Sequence, residues 1–153
     1  MAIDIVSGFP ASRGYTCILV VTDWFSKMVH LIPFGDDTTA ETMARRFYAE
    51  VVRLHGLPSS IISDRDPRWM STFWTDLFHL MGVELKWSTA FHPETNGQSE
   101  QSIRTVCEML RAHAVAKLIE WVVCLPVVEL YFNATMQRST GKSPFEIVYG
   151  REV

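Results

Sequence analysis

Three carboxylates stand out by where they fall in the chain. Asp4 sits inside a short apolar run, between Ile3 and Ile5. An acid there is costly to bury unless it pairs or holds a cation. Asp64 closes the run Ile61-Ile-Ser-Asp64, and strand ends are where α/β sheets place ligand-binding groups. Glu100 opens a long helical pattern, just after the loop His92-Pro-Glu-Thr-Asn-Gly97. Three carboxylates arriving from separate elements can hold two divalent cations about 3.5–4 Å apart. Hard oxygen ligands favour Mg2+ or Mn2+. Taken singly, each acid has a plainer reading. Asp64 suits a turn, Glu100 suits the positive end of a helix, and Asp4 lies near a chain end where exposure is cheap.

The elements that must position them can be read from pattern. Ala2–Val6 reads as a first strand. Tyr15–Thr22 is a continuous apolar run, the mark of a central strand buried on both faces. Lys27–Pro33 reads as the next strand, making an antiparallel meander of three. Thr38-Thr-Ala-Glu41 is a capping box. Behind it Ala40, Met43, Ala44, Phe47, Val51 and Leu54 share one helical face. Gly56 and Pro58 end that helix. Ser60–Ser63 is a fourth strand, Ser71–Met81 a second helix and Val83–Trp87 an alternating fifth strand. A long helix is predicted from about Gln98 to Lys117 and another stretch from about Ile119 to Thr135. A short final helix has Ser143 as N-cap, Pro144 at N1 and Gly150 beyond its end. The predicted architecture is α/β: a five-stranded mixed sheet, three strands antiparallel and two further, flanked by helices.

Composition narrows the function classes. The 153 residues are 48% hydrophobic and 20% charged, which suits one domain with its own core, 1–153, without internal repeat. No apolar run approaches the roughly 18 residues of a membrane span. MAIDIVSGF carries no basic segment of the kind that opens a signal peptide. Three scattered cysteines offer neither a disulfide framework nor a zinc knuckle. The net charge of −3 argues against a packaging protein but leaves room for a local basic patch. Such a patch is available on the long helix, where Arg104 and Arg111 follow Glu100 at i+4 and i+11, with Cys107 between them. They are candidate phosphate contacts. His92, Asn96 and Gln98 in the preceding loop are candidate hydrogen-bonding groups, and Asn96-Gly97 is a strong turn signal.

Spacing and flanking segments join these residues into one pattern. Thirty-five residues separate Asp64 from Glu100. Around them stand ILVVTDWFSK, VVRLHGLPSSIISDRDPRW, FHPETNGQSE and STGKSPFEIVYG, in that order. The chain resembles, over nearly its whole length, the catalytic core of the integrases of gypsy-type long-terminal-repeat retrotransposons and retroviruses. The resemblance implies an RNase H-like fold, with Asp4, Asp64 and Glu100 as the catalytic, metal-binding triad and two Mg2+ or Mn2+ ions. It implies two-metal phosphoryl transfer that trims the 3′ ends of element DNA and joins them to target DNA. DNA contacts are expected from Arg104, Arg111, His92, Asn96 and Gln98.

The resemblance also implies self-association, as a homodimer or higher oligomer, through a face partly made by the first and fifth helical regions. It implies nuclear work with a cytoplasmic particle stage, and no small-molecule substrate. Asp23, at the start of the second meander connection, and Asp66, two residues beyond Asp64, are the rival acids; both suit turn or loop roles. The family's N-terminal zinc domain and C-terminal DNA- or chromatin-binding domain have no counterpart in these residues. Glu94 stands where the family usually has glutamine, and Ala116-Lys-Leu-Ile119 is shorter than the family's stretch. Two other readings compete: an inactive descendant used for tethering or oligomerisation, and an RNase H-like nuclease.

Overall fold

The computed structural model describes residues 1–63, 72–87, 103–112 and 120–153. Five strands form one mixed sheet: β1 (Ala2–Val6), β2 (Cys17–Thr22), β3 (Val29–Phe34), β4 (Ser60–Ser63) and β5 (Glu84–Trp87). Their order across the sheet is β3-β2-β1-β4-β5. β1, β2 and β3 pair antiparallel, whereas β4 runs parallel to both β1 and β5. The helices are α1 (Ala40–Phe47), α2 (Arg53–His55), α3 (Thr72–Leu80), α4 (103–112), α5 (Trp121–Ala134) and α6 (Pro144–Tyr149).

Strand alternation splits the core into two layers. One face of the sheet presents Ile3, Leu19, Val21, Ile32 and Ile61 to Met43, Phe47, Trp74 and Phe78 of α1 and α3. The other presents Ile18, Val20 and Leu31 to Val106 and Leu110 of α4 and to Trp121, Leu125 and Val128 of α5. β2 is buried throughout because it meets helices on both sides. Trp74 and Trp121 are thus core residues, as their helical settings predicted.

Three details depart from the sequence expectation. β2 starts at Cys17, two residues late, because Tyr15 pairs back on Ser12 in a tight bridge (Ser12 N–H to Tyr15 O, 3.0 Å; Tyr15 N–H to Ser12 O, 2.9 Å). The first helix is capped by Thr39, whose hydroxyl accepts from Thr42 N–H. Thr38 is occupied elsewhere: its hydroxyl accepts from Gly35 N–H at 3.2 Å, closing the turn before the helix. After α1 the chain makes a π-helical turn, Tyr48–Val52. A π turn inserts an extra residue and rotates the rest of the helix about its axis. Val52 is therefore buried (8% exposed) and Leu54 is turned out to 49% exposure.

β3 is an edge of the sheet, and α5 closes it with side chains. Asn133 accepts from Val29 N–H and donates to Val29 O, both at 2.9 Å. Glu129 Oε2 accepts from Leu31 N–H at 2.8 Å. Four helical residues rise about 6 Å, close to the rise of two strand residues, so this pair matches every second edge amide. The next outward position is Pro33, which has no N–H to satisfy, and its carbonyl accepts from Arg46 Nη1. Asn133→Ala strips both partners from Val29 and is expected to cost about 2 kcal/mol in urea unfolding. Asn133→Asp keeps the acceptor for Val29 N–H but sets a second, charged acceptor against Val29 O, and is expected to cost at least as much.

Candidate active site

β1 runs through the middle of the sheet, between β2 and β4. Its register sets Asp4 opposite Val20, so the carboxylate projects from the face covered by α4 and α5. Oδ2 of Asp4 is withdrawn from solvent. On the other side Ala2 pairs with Ile62 and Ile3 with Ser63. The next residue along β1 is Asp4, and the next in sequence after Ser63 is Asp64. Asp64 itself lies outside the described residues, as do Glu100, His92, Asn96, Gln98, Asp66 and Glu94 and the 116–119 stretch.

α4 brings Val106 and Leu110 down onto this face and turns Arg104 and Arg111 outward, both exposed. Of the sequence-predicted site, the described residues thus place Asp4 beneath the α4–α5 layer and the two arginines on that layer's outer side. Cys107, half-buried between the arginines, has its thiol pKa pushed up by burial, with Arg111 opposing and Glu108 adding to the shift. It is therefore a protonated packing residue at neutral pH. The rival Asp23 is a turn acid: its Oδ2 accepts from Ser26 N–H at 2.8 Å and from the Ser26 hydroxyl at 2.7 Å.

Among the described residues no cluster of three or more His, Cys, Asp or Glu could hold a metal ion. The donor chemistry nonetheless suits a hard divalent cation. Asp4 is a carboxylate set mid-sheet, beside the strand that leads into a second carboxylate. One group escaped the sequence reading. Glu129 Oε1 lies 3.1 Å from His30 Nδ1, and His30 Nε2 lies 2.9 Å from His55 Nε2. These residues belong to α5, β3 and α2, and no local spacing links them.

This architecture defines the class: an α/β fold of the RNase H-like kind shared by integrase cores. It is similar to the HTLV-2 integrase catalytic core domain solved in complex with magnesium, with a TM-score of 0.74 at 17% identity, over 95% of this chain and 94% of that one. It is also similar to the BIV integrase catalytic core domain, with a TM-score of 0.74 at 16% identity, over 95% and 91% of the two chains. A simian T-cell lymphotropic virus intasome matches with a TM-score of 0.79 at 15% identity, over 99% of this chain and 55% of that one.

Sequence similarity is closer to transposons. The chain is 35% identical over 149 residues to the transposon Tf2-3 and Tf2-4 polyproteins of Schizosaccharomyces pombe, over 97% of its own length. It spans 11% of the length of those polyproteins. No family model matches the chain. The chain is thus similar in sequence to a segment of transposon polyproteins and in fold to integrase catalytic cores.

Proposed function

We propose that the chain is the catalytic core of an integrase-type polynucleotidyl transferase, which trims the 3′ ends of element DNA and joins them to target DNA. The observation that carries this reading is the β1–β4 register. Ile3 pairs with Ser63, and each is followed in sequence by an aspartate. Asp4 and Asp64, with Glu100 from the start of the helical pattern, would hold Mg2+ or Mn2+. Two such ions, when bound, favour deprotonation of water or a DNA 3′-hydroxyl and offset charge on the leaving oxygen.

The protein's own part is placement. β1 sets the Asp4 carboxylate in the middle of the sheet, on the face that α4 and α5 cover. Arg104 and Arg111, exposed on α4, would bind backbone phosphates and hold the duplex across that layer. His92, Asn96 and Gln98 would contact DNA beside the scissile bond. The work is then nuclear, with a cytoplasmic particle stage.

Self-association belongs to the same reading. α5 buries one face and leaves Val123, Val127, Leu130 and Tyr131 exposed as a stripe on another. Beside it runs a groove of about 680 Å3 walled by Arg46, Glu50, Leu54, Leu130 and Tyr149. A second copy would cover this face, which takes in the first helical region and the last. Val127→Glu with Leu130→Glu is expected to convert the dimer to monomer by sedimentation velocity. A wild type that sediments as a monomer at tens of micromolar overturns this part.

The test of the activity is resolution of a branched DNA that mimics the integration product, the reverse of joining. It needs less positioning than joining two separate ends. Resolution in Mg2+ or Mn2+ by wild type, and not by Asp64→Asn or Glu100→Gln, is the expected result. A folded wild type that neither resolves the branch nor binds Mn2+ overturns it, in favour of a tethering or oligomerisation role.

A further inference from the structure

The Glu129–His30–His55 chain lies away from the candidate active site, where α5, β3 and α2 meet. Its acceptors dictate where the protons sit. The Glu129 carboxylate accepts from Leu31 N–H through Oε2. An ionised carboxylate only accepts, so the His30 Nδ1 facing Oε1 carries a hydrogen. In the neutral pair, His30 Nε2 is then a lone pair, and the hydrogen in the 2.9 Å gap belongs to His55 Nε2. A first added proton enters at His55 Nδ1 and leaves that hydrogen bond intact. A second must enter at His30 Nε2, where it faces another N–H at hydrogen-bond distance. The bond is then lost and two imidazolium cations repel.

This bond holds the crossover from the first helix to β4. His55 is the last residue of α2, and Gly56 turns the chain away with a φ of +78°. The segment from His55 to Ser59 lines a cavity of about 270 Å3 together with Asp23, Met28 and His30. We propose that His30 and His55 form a pH-sensitive latch. Sharing one proton, they pin the 53–59 crossover to edge strand β3; taking up two, they release it.

The neighbouring charges bear on both steps. Asp23, from the β2–β3 turn, and Glu129, from α5, favour charge on His55, whereas burial and His30 oppose it, and burial is the largest effect. The Met1 amino group lines the same cavity, and Arg46 and Glu50 line the adjoining groove that His30 also borders. Arg53, on the same short helix, donates to Ala49 O and is exposed. The net result is a His55 pKa below its ordinary 6.5. The unfolded chain therefore takes up this proton first as pH falls. Stability present above about 6.5 is lost progressively as pH drops from there toward the lowered folded pKa.

Imidazole NMR of the intact chain from pH 8 to 4.5, with amide exchange at each pH, tests the latch. Neutral His30 is expected as the Nδ1–H tautomer and His55 as the Nε2–H tautomer, with two separated protonation steps. Amides of 53–57 should lose protection at the lower step while those of β2 keep theirs. His55→Gln still donates to His30 Nε2 but cannot become a cation. It is expected to leave a single protonation step, reduce proton uptake by about one per molecule, and keep the crossover protected in acid, because the amide can turn its oxygen to accept from His30 Nε2. His55→Phe is expected to leave the crossover unprotected at every pH. Glu129→Gln removes the charge and keeps only one of the two acceptor oxygens, since its amide NH2 donates; it is expected to shift the first step to lower pH. Opposite tautomers, a single merged step, or protection of 53–57 unchanged through both steps overturns the proposal.

Discussion

Asp4→Asn is expected to lower metal-dependent resolution of a branched DNA by about a thousandfold or more, with the fold intact. The substitution keeps the size and planarity of the side chain but removes the charge that holds a cation and offsets its repulsion from phosphate. The β1 backbone ladder to β2 and β4 does not depend on that side chain, so circular dichroism and melting temperature should move little. Asp23→Asn is the sharpest control. Its carbonyl oxygen can still accept from Ser26 N–H and from the Ser26 hydroxyl, so both turn and activity should survive. Equal loss in the two variants would sink the assignment of Asp4. Loss at Asp23 alone would move the first catalytic acid to the β2–β3 turn.

The largest expected effect on stability is at Trp74. Its side chain is 0% exposed. It stacks on Phe78 with ring centroids 4.9 Å apart and meets Phe47 edge-on at 6.3 Å. It thereby joins α3 to α1 above the sheet, in the layer that also contains Ile3 and Ile61. Removing an indole from such a site loses its transfer free energy and leaves a cavity that rigid neighbours fill only in part. Trp74→Ala is expected to cost about 4 kcal/mol, read by calorimetry as a fall in melting temperature of about 10 °C for a domain of this size. Trp74→Phe should cost much less, since a ring still meets Phe47 and Phe78. A fall under about 3 °C for the alanine variant would mean that α3 is not seated against α1.

Both residues are marked by their place in the sequence. Trp74 lies on a helix that has to bury something, and Asp4 is an acid between two isoleucines. The strands and helices are likewise legible, to within a residue or two at the described ends. Ser143, Pro144 and Gly150 bound α6 as expected: the Ser143 hydroxyl accepts from Glu146 N–H and Gly150 takes a φ of +69°. Such features are written locally, because capping, backbone handedness and periodic burial each depend on a few adjacent residues. Where a residue has two possible partners, local reading fails. Thr38 and Thr39 both suit an N-cap, and only the turn at Gly35, which claims Thr38, decides between them. Leu54 fits the periodicity of the first helix until the π turn shifts the phase.

The order of residues thus specifies the set of elements, their succession, and the acids that could do metal-assisted chemistry. Which of them meet is a matter of packing in three dimensions. Packing sets β1 beside β4, so that Ile3 and Ser63 are paired although far apart in the chain. It brings Asn133 and Glu129 onto the open edge of β3, and it closes His55 onto His30. These contacts leave no local signature. They arise because two helical layers must cover both faces of one twisted sheet, and that packing alone fixes which distant side chains share a space.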